Sequence, residues 1–545
     1  MATSADPERQ RSAEPAAPAT KGVVLVHGIG DQRQSDTLLD IGEPLFDWLA
    51  RWHEASGAAG PRLGRAELHF SAQAEAAAVS NAVIHLPNGD CWVLMEGWWN
   101  ASNRRPRFAE MASWAARHPV QVGVALARSF RRRLDGCERD AASVGPVLRR
   151  LLALYTLATL IVYAIAALVG TPIALLLLFL AQLPIPALRS ALLRALQPFI
   201  EINLGDFRTL LENEIEAGNI RQRLAGVVER LVADYGCAEV TIVAHSGGAV
   251  ASFDLLTDPS RGELVAPVRK LITVGAGLNK AWLLAPRLAR LRRQLPRHIH
   301  WVDLWASFDA VPVGWLTPPP DLDTPIFAPA DEIVAAHGLA PRSDPNPFPL
   351  CREPADEDAP SGRYWPESVK VTNELSLLTD HGGYWSNDEE VLMRLAAEID
   401  SDRHQDSRFW PGGAEAADAA VRRRRERVIA LASLRALFVT AWFGTTVGSF
   451  RPLARLLRPY VARVPLPAWL RRLAAGREQG AVNSLVAALL PGLLFILAFR
   501  VVRFRWEWWD RRERAATLQR TVASRPALAG ASPDVPSPVV PISVR

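Results

Sequence analysis

The chain has 545 residues, 49% of them hydrophobic, with a mean hydropathy of +0.04; the length suits two or three domains or one large domain with insertions, and the apolar content predicts that some side chains face lipid rather than a core. The net charge of +5 rests on arginine, since Lys21, Lys270, Lys280 and Lys370 are the only lysines, and arginines cluster beside apolar runs, as in Arg422 to Arg425 ahead of Val428; this favours anionic lipid head groups as partner and, without a stacking surface or recognition motif, speaks against nucleic acid. Cys91, Cys137, Cys237 and Cys351 are widely spaced with no C-x-x-C pair, which argues against a disulfide framework or a zinc site and fits a reducing compartment.

Residues 1–20 are rich in Ala, Pro and charge and lack the apolar centre of a secretory signal, so a disordered tail is expected. Gly22 to Gly28 reads as a buried parallel strand, and Thr37 to Trp52 as a helix that Pro44 splits into two pieces. Strands are expected at 66–70, 82–86 and 91–99, the last running into Glu96-Gly97-Trp98-Trp99-Asn100, which either lines a pocket or fills a core. Leu151 to Leu183 then runs 33 residues without a charge, interrupted by Gly170-Thr171-Pro172. At about 1.5 Å per residue it is long enough to cross a bilayer more than once. A membrane hairpin within 151–195 is expected, with both ends on the cytoplasmic side because Arg149, Arg150, Arg189 and Arg194 flank it; a buried hairpin in a soluble protein is the alternative.

Phe207 to Tyr235 has amphipathic helical spacing; Glu239 to Ala244 reads as a strand, Ala249 to Leu256 as the start of a helix, and Lys270 to Val274 and Ile299 to Trp305 as two further strands. This alternation predicts an α/β protein with a mostly parallel sheet and crossover helices. Residues 317–366 are dense in Pro and acid, either a cap over a site or a surface loop, and Val391 to Ile399 reads as a closing helix. Two apolar segments follow, Val428 to Phe450, broken by Arg435, and Val482 to Val502, with Pro491 and Gly492 near its centre. Together they predict membrane-associated helices over 420–515, the first of them re-entrant or interfacial. The run from Arg503 to Trp509 has the aromatic and basic make-up of an interface anchor. Residues 516–545 are expected to be a second disordered tail.

The strongest chemical signal is Ala244-His245-Ser246-Gly247-Gly248, between a strand and a helix. A nucleophile elbow needs that context, with small residues two before and two after the serine because the backbone turns too tightly for bulk. Ala244 stands where Gly is usual. A serine hydroxyl needs a base, and the base a carboxylate to orient it. Asp309, in an Asp309-Ala310-Val311-Pro312 context at the end of a strand, is the candidate acid, with Asp303 inside the strand as runner-up. His381, in Asp380-His381-Gly382-Gly383, is the candidate base; His298, His300 and His337 are more poorly placed.

With His27-Gly28-Ile29-Gly30 after the first strand and Thr273-Val274-Gly275-Ala276-Gly277 after the elbow helix, these motifs resemble the α/β-hydrolase superfamily, narrowly its lipase-like members, over roughly residues 21–400. The resemblance implies acyl transfer to water without metal or organic cofactor. Ser246, Asp309 and His381 would form a triad. The N–H groups of Ile29 and Gly247 would form the oxyanion hole, and His27 would brace the loop with Gly28 beside it. The expectation is a membrane-attached serine esterase acting on lipid-like esters. The high Arg-to-Lys ratio points to a bacterial source, hence the cytoplasmic membrane of a bacterium with the catalytic part in the cytoplasm. A non-catalytic membrane module of the same fold, binding a partner, is the competing expectation, and a transporter component a weaker one.

Overall fold

The structure, a computed structural model, describes residues 19–30, 32–57, 67–69, 80–99, 213–284, 298–312, 366–376, 379–461 and 479–525, with a few isolated positions between them. The predicted hairpin 151–195 (apart from residues 153 and 155–157) and the Pro-rich stretch 317–366 (apart from its last residue) lie outside the described residues, as do the side chains of 439–496.

In chain order the elements are β1 (Thr20–Val26), α1 (Glu43–Ala55), β2 (Glu67–His69), β3 (Asn81–His85), β4 (Cys91–Glu96), α2 (Glu214–Ala233), β5 (Glu239–His245), α3 (Gly247–Leu256), β6 (Val268–Val274), α4 (Leu278–Leu284), β7 (His300–Ala306), β8 (Glu367–Val371), α5 (Met393–Asp400), α6 (Ala414–Val461) and α7 (Gln479–Ala523). The strands form one sheet in the order β2-β3-β4-β1-β5-β6-β7-β8. In that order all neighbours from β4 to β8 are parallel, and near the other edge β3 runs antiparallel to both β2 and β4. The expected α/β class with a mostly parallel sheet and flanking helices is therefore what the chain forms.

The central strands are β-branched runs buried on both faces, as a sheet covered on two sides requires. Val24, Val26, Val240, Ile242 and Leu271 pack with α2 and α3 on one face. Val23, Leu25, Val243, Ile272 and Leu304 pack with α1 and α5 on the other. Helix α2 buries Ile220, Leu224, Val228 and Leu231 along one stripe, and its first turn is capped by the Asn213 side chain, which accepts from Glu216 N–H. Pro44 sits in the first turn of α1, where its missing N–H costs nothing; a π-helical turn (Leu38–Gly42) runs into α1 with helical backbone at the junction, so Pro44 does not divide the segment into two pieces as expected.

Three expectations need correction. The C-terminal tail does not begin at 516: α7 continues to Ala523 and buries Thr517 and Thr521. Thr20, assigned to the N-terminal tail, opens β1. Arg435 does not interrupt its segment: α6 is continuous from Ala414 to Val461, and Arg435 is turned toward Glu374. Strand β8 was not foreseen.

Helices α6 and α7 pair along their lengths and are bound to the sheet domain at one end. Phe409, just before α6, is fully buried among the rings of Trp48, Trp52 and Trp92. Arg427 bonds Asp510 across the pair at 3.0 Å and also binds Glu389, while Arg514 donates to Ser386 O at 2.9 Å. Among the described residues no helix is long and apolar enough to cross a membrane.

Candidate active site

Registers such as Val26 with Ala244, His245 with Val274 and Ala306 with Val371 bring the carboxyl ends of β1, β5, β6, β7 and β8 to one edge. In open α/β sheets ligands bind outside that edge. All three predicted triad residues lie on loops leaving it.

Ser246 stands between β5 and α3 with φ 55° and ψ −119°, a conformation that side chains other than glycine rarely adopt. Its N–H donates to Val274 O and its carbonyl accepts from Gly277 N–H, both at 3.0 Å, so the strain is held by the neighbouring strand and turn. The glycines around it are required by contact. A methyl on Gly28 would stand 2.6 Å from Ser246 Cβ, and one on Gly248 would overlap the His27 carbonyl. Ala244, by contrast, lies within β5, where its methyl is buried without conflict.

Asp309 is almost completely buried in the turn after β7. His381 Nδ1 donates to Asp309 Oδ2 at 2.9 Å, the Tyr384 hydroxyl donates to the same oxygen at 2.8 Å, and Val311 N–H donates to Oδ1 at 2.8 Å. Burial pushes this carboxyl up, but the hydrogen bond and charge of His381, with Val311 and Tyr384, outweigh it, and the net shift is downward. Asp309 therefore stays ionised and fixes the tautomer of His381, leaving Nε2 as the basic nitrogen. The runner-up Asp303 is held inside the sheet by Thr273 Oγ1 at 2.8 Å and Ser368 Oγ at 3.0 Å; it is not the partner of His381.

His245, the residue before Ser246, packs against His381. Its ring stacks on that of His381 with centroids 4.6 Å apart, and its Nε2–H donates to His381 O at 3.0 Å. Burial, helped by the nearby His381, holds His245 at about 3, so it is a neutral donor. Gly275, at φ 57°, completes the floor: a methyl there would lie 2.9 Å from Asp309 Oδ2 and 3.3 Å from His381 Nδ1.

The loop after β1 is held by His27. His27 Nδ1 donates to Gly28 O at 2.7 Å, Nε2 accepts from Trp99 N–H at 3.2 Å, and the imidazole stacks on Trp99 at 4.8 Å. Burial lowers His27 to about 4, consistent with this neutral, fully used ring. Ile29 N would be 3.4 Å from a methyl on Gly247, so the two predicted oxyanion-hole donors are neighbours, the second at the N-terminus of α3. Trp99 is thus core, and Glu96 accepts from Ser35 and Thr37 N–H rather than lining a pocket.

Sequence reasoning gave no role to His245, Gly275 or Tyr384. The only available signal was proximity, since His245 lies inside the elbow motif and Tyr384 three residues beyond the base. His300, Glu367 and Glu398, at the opposite edge of the sheet, approach closely enough to suggest a cation site. However, Lys270 and Arg394 already pair with Glu398, and Arg394 with Glu367, so the cluster is a charge-balanced network. Comparisons of the chain with models of protein families, with curated proteins and with solved structures give no match.

Proposed function

We propose that this protein is a membrane-attached serine hydrolase of the α/β-hydrolase type that cleaves carboxylic esters of lipid-like substrates. The observation that carries the reading is the Asp309–His381 pair at 2.9 Å, stacked against the residue that precedes a strained serine at a strand-to-helix turn. A buried carboxylate that orients an imidazole, with that imidazole packed against the neighbour of a strained serine at the edge where such sheets bind ligands, supports an activated hydroxyl.

In this mechanism Ser246 Oγ gives its proton to His381 Nε2 as it bonds to the ester carbonyl carbon. The carbonyl electrons move onto oxygen, where the N–H groups of Ile29 and Gly247 hold the anion. As the tetrahedral species collapses, the bond to the alkoxy oxygen breaks and the leaving alcohol takes the proton from His381. Water then attacks the acyl-serine, passes a proton to His381, and the carboxylic acid departs as Ser246 recovers its hydrogen. Asp309 stays ionised throughout and stabilises the imidazolium. Preference for lipid-like esters is supported by the exposed Leu497, Val501, Phe504 and Trp508 on α7, interspersed with arginines, which suit a bilayer interface.

The test is labelling with a fluorophosphonate probe in membranes. Wild type is expected to label and Ser246→Ala to lose the label. Failure of well-folded wild-type protein to label, or equal labelling of the variant, overturns the assignment of Ser246. Turnover confined to short, water-soluble esters overturns the lipid part alone.

A further inference from the structure

The loop that carries His381 is held from outside the sheet domain. Arg424 of α6 donates through Nε to Thr372 O at 2.9 Å and through a terminal nitrogen to Asn373 O at 3.3 Å. Three turns on, Arg435 donates to Glu374 O at 3.1 Å and to its carboxylate at 3.2 Å. Burial raises the Glu374 carboxyl, but the charge and hydrogen bond of Arg435, with the Thr379 hydrogen bond and the Arg503 charge, outweigh it, and the net shift is downward. From these anchors the bonds run straight to the base. Asn373 Nδ2 donates to Asp380 O at 2.8 Å, the N–H groups of Glu374 and Ser376 donate to Asp380 Oδ1 at 2.9 and 3.0 Å, and Thr379 Oγ1 donates to Glu374 Oε2 at 3.0 Å. His381 follows directly.

A small apolar cluster lies beside this network. Phe308, Leu375, Ile429 and Ala432 are buried together, with Val428 and Tyr155 against them. Phe308 precedes the acid, Leu375 belongs to the loop of the base and sits at φ 53°, and Ile429 and Ala432 come from α6. Tyr155, from the start of the long apolar run, stacks on Phe308 at 6.2 Å and donates its hydroxyl to Leu375 O at 2.9 Å. Segments from both apolar regions thus meet between the loops that bear acid and base.

We propose that Arg424 and Arg435 are positioning residues for His381, so that the seating of the C-terminal helical pair sets the geometry of the active site, beyond any role of that pair as an anchor. The proposal rests on the hydrolase reading. It explains why an apolar helix carries an arginine at 435: the side chain is 15% exposed and spent on one loop. Small displacements of a base are costly, because about 1 Å of misplacement can lower a rate by roughly a hundredfold.

The test compares full-length wild type, Arg435→Ala, Arg435→Lys and Leu437→Ala in membranes, Leu437 being exposed on the same helix. Arg435 is varied rather than the more deeply buried Arg424, whose loss endangers folding. The readouts are the rate constant and final extent of fluorophosphonate labelling, kcat and KM for an ester, and hydrogen exchange of residues 372–381. Arg435→Ala is expected to slow labelling and kcat at least tenfold, with full final labelling, little change in KM and faster exchange in 372–381. Arg435→Lys is expected to recover part of the rate and Leu437→Ala to behave as wild type. Wild-type rate and exchange in Arg435→Ala overturn the proposal while leaving the hydrolase reading intact. A reduced final extent at an unchanged rate constant, without rescue by Lys, also overturns it, as it marks lost protein rather than a displaced base. Silent wild type overturns the hydrolase reading and this proposal with it.

Discussion

A carboxyl group beside the base tests the site through its protonation. Asp380 is buried, its Oδ1 accepts two backbone N–H groups, and its Oδ2 has no hydrogen-bond partner. Burial raises it from 3.8 to about 7, against the Ser376 and Glu374 N–H bonds and with added repulsion from Asp309 and Glu374. Because its folded value lies above its unfolded one, its contribution to stability is complete below pH 3.8 and is lost as pH rises through about 7. Asp380→Asn keeps an acceptor for both N–H groups and cannot ionise. Its melting temperature relative to wild type is expected to rise between pH 5 and pH 8, by ~3 °C or more given that ionising the buried carboxyl costs up to about 4 kcal/mol. A difference that stays flat across that range would show that Asp380 does not titrate there. Ser246 and Asp309 were legible because each follows the end of a recognisable strand, and His381 because it stands in an Asp-His-Gly-Gly run downstream of the acid. Asp380 stood out only as half of an Asp-His pair, and its burial comes from residues 374–376, whose folding over it no local pattern reveals.

At the level of elements the elbow shows which parts of its sequence are dictated. The position two after the serine needs Gly because the backbone after β1 crosses it. The position two before it lies inside β5, paired with Val26 on one side and Thr273 on the other, and accepts a methyl. Ala244→Gly is therefore expected to bring no gain in fluorophosphonate labelling rate and to lower stability by about 1 kcal/mol in denaturant unfolding, from backbone entropy and a lost buried methyl. A faster label would mean that Ala244 restrains the elbow. The same logic separates the strands that sequence reveals from the one it does not. β1, β5, β6 and β7 are apolar runs buried on both faces, whereas β8, Glu367 to Val371, is an edge strand with polar residues at three of its five positions and only its last residue fully buried. Its role is to deliver the chain to the His381 loop. Arg435 illustrates the opposite difficulty: within an apolar run it reads as a break, while its partner lies 61 residues earlier in sequence.

For the molecule as a whole, the question is what faces the exposed side of the helical pair. The base of the pair is tied to the sheet domain by Phe409, by the Arg427–Glu389 ion pair and by Leu518 and Val522. Just beyond that base, α7 exposes Val501, Phe504, Trp508 and Trp509, with the Arg505 and Arg512 guanidiniums over the Trp508 ring. Over residues 500–512 five arginines oppose Glu507 and Asp510, and both acids are engaged, by Arg503 and by Arg427 and Arg514. An apolar and aromatic strip with surplus positive charge matches an anionic bilayer interface, where each basic side chain contributes about 1 kcal/mol. Full-length protein diluted from detergent is therefore expected to sediment with vesicles containing phosphatidylglycerol more strongly than with neutral phosphatidylcholine vesicles. The difference should shrink at high salt as the charges are screened. Arg505→Ala with Arg512→Ala should lower partitioning onto the anionic vesicles by roughly thirtyfold, the equivalent of about 2 kcal/mol, and leave phosphonate labelling in detergent unchanged, because neither side chain contacts the His381 loop. Protein that stays in the supernatant with anionic vesicles at low salt would remove the membrane from the proposed function, and with it the reason to expect a lipid-like ester rather than a soluble one.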